Sequence, residues 1–224
     1  MILLATDTSG KNGSLALARA LGLTSPDLEI LDLVPLEGGT FSAQLVPQIS
    51  ALLSKHQVER RDINGFAVVS GPGSFTGLRV GLAAIKALAE ILQTPIAAVS
   101  RLEAVARIGS FRGEVISAID AGRGELYVGE YELGAHPRVL RERLLERDEF
   151  LANSLGRTLV TSDLSLADAA KKSGFHVEKV SDPRADVIAR IGWEQIRSGE
   201  TISPEDLEAN YIRRSDAEIF AKNL

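Results

Sequence analysis

Two aspartates and one glycine-rich turn carry the residue types that a phosphate or metal site requires. Asp7 closes an apolar run at 2–6 and precedes Thr8 and Ser9, while Asp120 closes a second run at 115–119 and precedes Gly122. Carboxylates at the ends of equivalent strands, with Asp7, Thr8, Ser9, Asp120 and Gly122 facing a cleft, are what a magnesium–phosphate site needs. The alternative is that each aspartate is a turn residue bonded to its own backbone. The turn Gly71-Pro72-Gly73-Ser74-Phe75-Thr76-Gly77 fails two nucleotide motifs. A Walker loop needs Lys and then Ser or Thr after its last glycine, where this chain has Leu78 and Arg79. A dinucleotide fingerprint needs G-x-G-x-x-G, whereas Gly71, Gly73 and Gly77 give G-x-G-x-x-x-G. What remains is a helix N-terminus whose amides at 74–77 are able to hold an anion.

Other chemistries lack their residues. His56, His136 and His176 are far apart and show neither H-x-x-x-H nor H-E-x-x-H spacing. Ser74 does not sit in the G-x-S-x-G pattern of a hydrolase nucleophile. With no cysteine, disulfides and thiolate chemistry are excluded, and a cytoplasmic, reducing location is expected. A net charge of -5 and the lack of any Lys/Arg-rich block argue against unaided nucleic-acid binding. The opening MILLATDTSG is too briefly apolar for a signal peptide, and no run has the length of a membrane span.

The elements that would position these groups follow from periodicity. Strands are expected at 2–7, 14–18 and 28–34, with Asn12-Gly13 as a hairpin signal between the first two. A helix over 41–56 carries the stripe Leu45, Ile49, Leu52 and Leu53, with Ser42 as its cap and Pro47 inside it. A buried strand at 66–70 leads through the glycine turn to a helix at 77–92, capped by Thr76 and stopped by Thr94-Pro95. On that helix Gly77 and Gly81 lie four apart, and Ala84 and Leu88 continue the stripe. Such a stripe admits a close backbone approach, either inside the fold or from a partner. A strand at 95–99 and a short helix at 102–108 complete the first half. After Gly113 the pattern begins again: a strand at 115–120, a turn at 121–124, and a strand at 125–132 with Leu126, Val128 and Glu130 on one face. Further strands fall at 158–161 and 175–180, and helices at 164–173 and 184–198. Ser203-Pro204 opens the tail as a cap followed by Pro at the first helical position. The recurrence predicts an α/β chain of two lobes in contact. Residues 1–104 make the N-terminal lobe and 105–224 the C-terminal lobe, with the tail free to pack back on the first.

The string SGPGSFTGLRVG at 70–81 resembles the signature of the bacterial TsaB, or YeaZ, family. LATDT at 4–8, AIDAGRGELY at 118–127 and NYIR at 210–213 agree with it in order, so the resemblance spans essentially the whole chain. It implies two ribonuclease-H-like lobes of the actin, Hsp70 and sugar-kinase architecture. It also implies a non-catalytic subunit required for threonylcarbamoyl modification of the adenosine beside the anticodon in tRNA. In that family the transferase TsaD and the ATPase TsaE are partners, self-association into a homodimer occurs, and tRNA is met through the complex. ATP and metal are expected on the partner subunits, with no cofactor of the chain's own. TsaD is similar through the following strand and helix, where two histidines four apart hold its metal. Here VSRLEAV at 99–105 puts Arg101 and Val105 in those places, and neither replaces imidazole as a neutral ligand. Many family members carry His before Ser or Thr at the start of the first helix, where this chain has Phe41-Ser42.

The resemblance places partner-binding residues on the two N-terminal-lobe helices. These are Leu45, Ile49 and Leu52 on the first, and Ser74, Phe75, Thr76, Gly77, Arg79, Gly81, Ala84 and Leu88 on the second. One surface serving homodimer and heterodimer would make the two exclusive, and Gly81→Leu would weaken both. Two other readings stand beside this one. The first is an ATP-dependent small-molecule kinase of the same fold, using Asp7 and Asp120 of an otherwise vestigial nucleotide cleft. The second is a metallopeptidase-like hydrolase.

Overall fold

A computed structural model describes residues 1–153 and 156–212. The NYIR stretch at 210–213 and the end of the C-terminal lobe therefore lie partly outside the described residues. The chain forms two units. The first comprises residues 1–101 and 183–209, and the second comprises residues 102–182 with residues 210–212. The boundary falls at Arg101/Leu102, and the first unit takes in a stretch that the sequence pattern left with the C-terminal half.

The first unit contains β1 (Ile2–Asp7), β2 (Gly13–Arg19), β3 (Glu29–Leu36), α1 (Phe41–Lys55), β4 (Ile63–Gly71), α2 (Phe75–Leu92) and β5 (Ile96–Ser100). The second contains β6 (Gly113–Gly122), β7 (Glu125–Leu133), β8 (Arg138–Glu146), α4 (Arg147–Ala152), β9 (Thr158–Thr161), α5 (Leu164–Ser173) and β10 (His176–Lys179). Two helices close the halves, α3 (Arg101–Ile108) and α6 (Ala185–Ser198).

Each unit holds one five-stranded sheet, ordered β3-β2-β1-β4-β5 in the first and β10-β9-β6-β7-β8 in the second. Read from the other end, the second order repeats the first. In both, three antiparallel strands are followed by two parallel ones. The duplication expected from sequence is thus a repeated ribonuclease-H-like topology, with the closing helices exchanged. α6, from the second half, packs on β1, β2, β4 and β5 of the first unit. Most of α3, from the first half, sets Leu102, Val105 and Ala106 into a core with Val115, Ile119, Tyr131, Leu133 and Val160 of the second.

The reason for α6's position is visible in the register. Ala16, Ala5, Ala67 and Ala97 pair across β2, β1, β4 and β5 as one transverse row of small side chains. Gly192 lies over that row: a Cβ built on it would fall 2.4 Å from the Ala67 Cβ and 3.3 Å from the Ala97 Cβ. The helix backbone therefore rests directly on the sheet, and Ile188, Ile191, Trp193 and Ile196 are buried beside the contact. Ser14 caps the entry to α6, its hydroxyl accepting from the Ala185 N–H at 2.8 Å.

Four local expectations are corrected. α1 starts at Phe41 after Thr40, so Ser42 is inside the helix and exposed. α2 starts at Phe75, and its cap is Ser74, whose Oγ accepts from the Gly77 N–H at 3.3 Å, in place of Thr76. The first hairpin forms where expected, but its connection is the stretch 8–12, so Asn12-Gly13 is not a two-residue turn. Gly13 already belongs to β2, and a side chain there would meet the Asp7 carbonyl at 2.7 Å and the Phe41 ring at 2.8 Å. The two-residue turn with positive φ at both positions is Arg123-Gly124, in the second half. Finally, residues 204–206 form a turn and no helix follows among the described residues, although Ser203 Oγ does accept from the Asp206 N–H at 3.2 Å. Ile202 instead pairs with Ile96, and Lys86 donates to the Glu205 carbonyl at 3.0 Å, fixing this stretch to the first unit. Among the strands and α-helices, β8 and α4 had no counterpart in the sequence pattern.

Candidate functional site

Asp7 is 4% exposed, and its Oδ1 accepts from both the Ser9 N–H at 2.8 Å and the Ser9 hydroxyl at 2.6 Å. That is the turn geometry in which a carboxylate replaces a backbone carbonyl two residues on. Thr8 is also committed, donating its hydroxyl to the Gly77 carbonyl at 2.7 Å. The Ser74 N–H in turn donates to the Ser9 carbonyl at 2.7 Å. The Asp7-Thr8-Ser9 segment and the glycine-rich turn are therefore each other's partners. Glycines of the turn are used sterically: a Cβ on Gly73 would stand 2.4 Å from the Ser9 carbonyl oxygen, and one on Gly77 2.0 Å from that of Thr8. One on Gly81 would stand 2.4 Å from Thr8 Oγ1. Gly77 and Gly81 are thus buried against the Thr8 segment that follows β1, which is the contact inside the fold, one of the two readings open from sequence. The peptide between Gly71 and Pro72 is cis, with Gly71 at φ 135°.

Asp120, the equivalent of Asp7 in the second unit, is exposed, and Gly122 has φ 72° before the tight Arg123-Gly124 turn. The two aspartates thus differ in setting although their strands correspond. Among the described residues no group of three or more His, Asp or Glu side chains is placed to hold a metal ion. His136 and His176 are exposed. His56 ends α1 with Nε2 2.8 Å from Asp32 Oδ2, and Lys55 Nζ lies 2.6 Å from the same oxygen. Hydrogen bonds from Lys55 and His56 hold the Asp32 carboxyl at about 2, below its usual 3.8. Arg101 opens α3 close to Gly10, and Val105 is fully buried in the core of the second unit.

The remaining expected residues lie on α1 and α2. Leu45, Ile49 and Leu52 are buried in the first unit, so they hold α1 in place and do not face outward. Ala84 and Leu88 are half-buried, while Ser74, Phe75, Thr76 and Arg79 are exposed at the start of α2. The Arg79 guanidinium stacks on the Phe75 ring at 3.6 Å from its centroid, which keeps both side chains in one arrangement. The outward sides of the two helices have a common character. On α1, Ala43, Val46, Pro47, Ser50 and Ala51 are exposed, and the helix bears no charge before Lys55. On α2, Ala83, Ala87 and Ile91 are exposed at intervals of four, with Ile91 at 77% and Val46 at 61%. α1 and α2 pack against one another. The sequence stripe through Gly77 and Gly81 marked the inner face of α2. The equally regular stripe through Ala83, Ala87 and Ile91, small and uncharged on a solvent-facing side, was the signal for the outer one. No helix of the described residues is long and apolar enough to cross a membrane.

Comparison with known proteins gives concordant results. The family described as TsaD, tRNA N6-adenosine threonylcarbamoyltransferase, matches residues 38–153. A Bacillus subtilis protein named tRNA threonylcarbamoyladenosine biosynthesis protein TsaB is 28% identical, over 97% of this chain and 96% of that protein. The Escherichia coli protein of the same name is 29% identical, over 78% and 81%. The solved structure of YeaZ from Pseudomonas aeruginosa superposes with a TM-score of 0.77 at 24% identity, covering 94% of this chain and 99% of that one. The last match shows the fold, and with it the two-lobed α/β class expected from sequence.

Proposed function

The chain belongs to the TsaB (YeaZ) family, and from that premise we propose that it is a non-catalytic subunit in threonylcarbamoyl modification of tRNA. On this reading it pairs with a TsaD-type transferase and a TsaE-type ATPase in the cytoplasm. These partners carry the ATP and the metal, and the complex carries the tRNA. The observation behind the reading is the outward face of α1 and α2. It combines exposed apolar side chains with an absence of charge along α1 before Lys55, which is the composition of an interface core. The commitment of Asp7, Thr8 and Ser9 to one another and to the glycine-rich turn favours a subunit of this kind over a kinase. The face is suited to one helical partner at a time, so a homodimer and a complex with the transferase compete for it.

Light scattering after size-exclusion chromatography tests this, on the chain alone and mixed with its TsaD-type partner. Val46→Arg and Ile91→Arg change exposed positions, so stability should move by no more than about 0.5 kcal/mol. Each should weaken both associations by about tenfold or more, as expected for a charge placed in an interface core. Unaltered association in both variants would refute the assignment of the face.

A further inference from the structure

The two units differ in how completely their sheets are covered. α1 spans 15 residues over the first sheet, whereas α4, its counterpart, spans 6. Part of β7 and β8 is left uncovered, and a cavity of about 490 Å³ opens there. Val128, Leu145 and Phe150 give it an apolar floor, and Glu130, Arg143 and Arg157 stand at its wall.

Three guanidiniums converge on the single carboxylate of Glu130. Arg141 Nη2 lies 3.1 Å from Oε2, while Arg143 Nη2 and Arg157 Nη2 lie 3.2 and 3.3 Å from Oε1. Burial pushes the Glu130 carboxyl up, but hydrogen bonds from Arg141 and Arg157 outweigh it and hold the group below the ordinary range. Glu130 is therefore ionised, and one negative charge faces three positive ones. Glu149 is the other acid of the lining, so Arg143 and Arg157 balance Glu130 and Glu149 there, while Arg141, outside the lining, adds a third guanidinium to Glu130. The Nε of Arg143 is buried with no hydrogen-bond partner among the described residues. A donor of that kind costs stability unless something accepts from it.

We infer that this cavity binds a small phosphate ester. The phosphate engages Arg143 and Arg157, and its organic body rests on Val128, Leu145 and Phe150. Glu130 acts as a resident carboxylate that keeps the guanidiniums gathered until a better acceptor arrives. A phosphate carries more charge and more acceptor oxygens than a carboxylate, and its pairing with Arg is among the strongest hydrogen-bonded contacts. The cavity volume falls within the roughly 300–1,000 Å³ of small-molecule sites. An apolar floor beneath the arginines has no use for an inorganic ion, nor for a phosphodiester of a polymer lying across the surface. The site is independent of the α1–α2 face.

Isothermal titration calorimetry of the full chain at constant ionic strength tests the inference, with phenyl phosphate, inorganic phosphate and a short single-stranded RNA as probes. Phenyl phosphate should bind more tightly than inorganic phosphate. Arg143→Gln and Arg157→Gln should each weaken phenyl phosphate by about tenfold, as for loss of one charged hydrogen-bond donor. Arg138→Gln should leave it unchanged, because Arg138 pairs with Glu132 and lies outside the cavity. Glu130→Gln should bind about tenfold more tightly, with any loss of melting temperature recovered on adding phosphate. Phenyl phosphate failing to bind both wild type and Glu130→Gln would overturn the inference and leave a purely structural ion-pair network. Equal affinity for inorganic phosphate would overturn the role of the floor. Tighter binding of the RNA would overturn the small-molecule assignment in favour of a polymer backbone.

Discussion

The two sheets have one topology and two ways of receiving a helix. In the first unit the contact is made by small residues: Ala16, Ala5, Ala67 and Ala97 in a row, with Gly192 of α6 directly on them. In the second, α3 is set off by large ones, with Leu102 and Val105 among Val115, Ile119, Tyr131 and Leu133. A close contact of small residues gains its energy from many backbone and Cβ atoms at van der Waals distance, and it tolerates no added volume. A contact of large side chains gains more from buried apolar area and can repack around a change. The same contrast separates the outer helices. The long α1 closes its sheet and turns an uncharged face outward, whereas the short α4 leaves a charged cavity.

The largest effect that would break this comparison concerns α6. Residues 1–101 alone should not fold, because the row of alanines and its flanking apolar side chains would face water. At about 1.5–3 kcal/mol for each large side chain, loss of buried Ile188, Ile191, Trp193 and Ile196 removes as much as a whole domain's margin of about 5–15 kcal/mol. Joining residues 183–209 to them through a flexible linker should restore a cooperative unfolding transition in circular dichroism. A folded 1–101 fragment would show that the exchange is dispensable.

Next in size are the close contacts. Gly192→Val and Gly81→Leu should each destabilise by about 1–3 kcal/mol or more in denaturant melts, the usual cost of overfilling a packed site. Gly81→Leu is thereby a folding variant, and a loss of partner binding in it would report on the contact with Thr8. Thr8→Val, which removes the hydroxyl bonded to the Gly77 carbonyl, should cost about 1–2 kcal/mol, and it should do so without affecting the second unit's hydrogen-exchange protection.

The smallest effect is a pH dependence that sharpens the comparison of the charged clusters. Asp32 titrates in the folded chain at about 2 against an ordinary 3.8, so its bonds with Lys55 and His56 stabilise fully above about pH 4. That contribution is lost as pH falls through about 2. Asp32→Asn should therefore lower stability at neutral pH and converge with the wild type in acid. Glu130 has the same sign in the second unit, since its carboxyl is also depressed. Parallel melts of Glu130→Gln across the same range should converge likewise. Curves for Asp32→Asn that stay parallel to wild type down to pH 2 would remove the linkage.

Much of the element order was legible because local signals agreed with the fold. The runs at 2–7, 66–70 and 115–120 are short, apolar and bounded by turn residues, and all became central strands. The duplication was also legible, through two aspartates after two apolar runs. What periodicity could not convey was the partner of each element. Gly77 and Gly81 advertised a close approach, but only the fold shows that Thr8 fills it. Ala5, Ala16, Ala67 and Ala97 are far apart in sequence and acquire meaning only when register aligns them. β8 was missed because its charged residues interrupt alternation, as suits an edge strand that must not pair further. The Glu130 cluster joins β7, β8 and the residue before β9, so no spacing in the sequence announces it.

The exchange of closing helices also sets a timetable for synthesis. When a ribosome has released the last strand of the first sheet, the helix that covers it is still roughly a hundred residues away. At about 5–20 residues per second, one face of that sheet waits on the order of 5–20 s for its cover. Throughout that interval the nascent chain presents apolar surface to solvent. Its yield in the cell should therefore depend on chaperones acting at the tunnel exit more than its final stability would suggest.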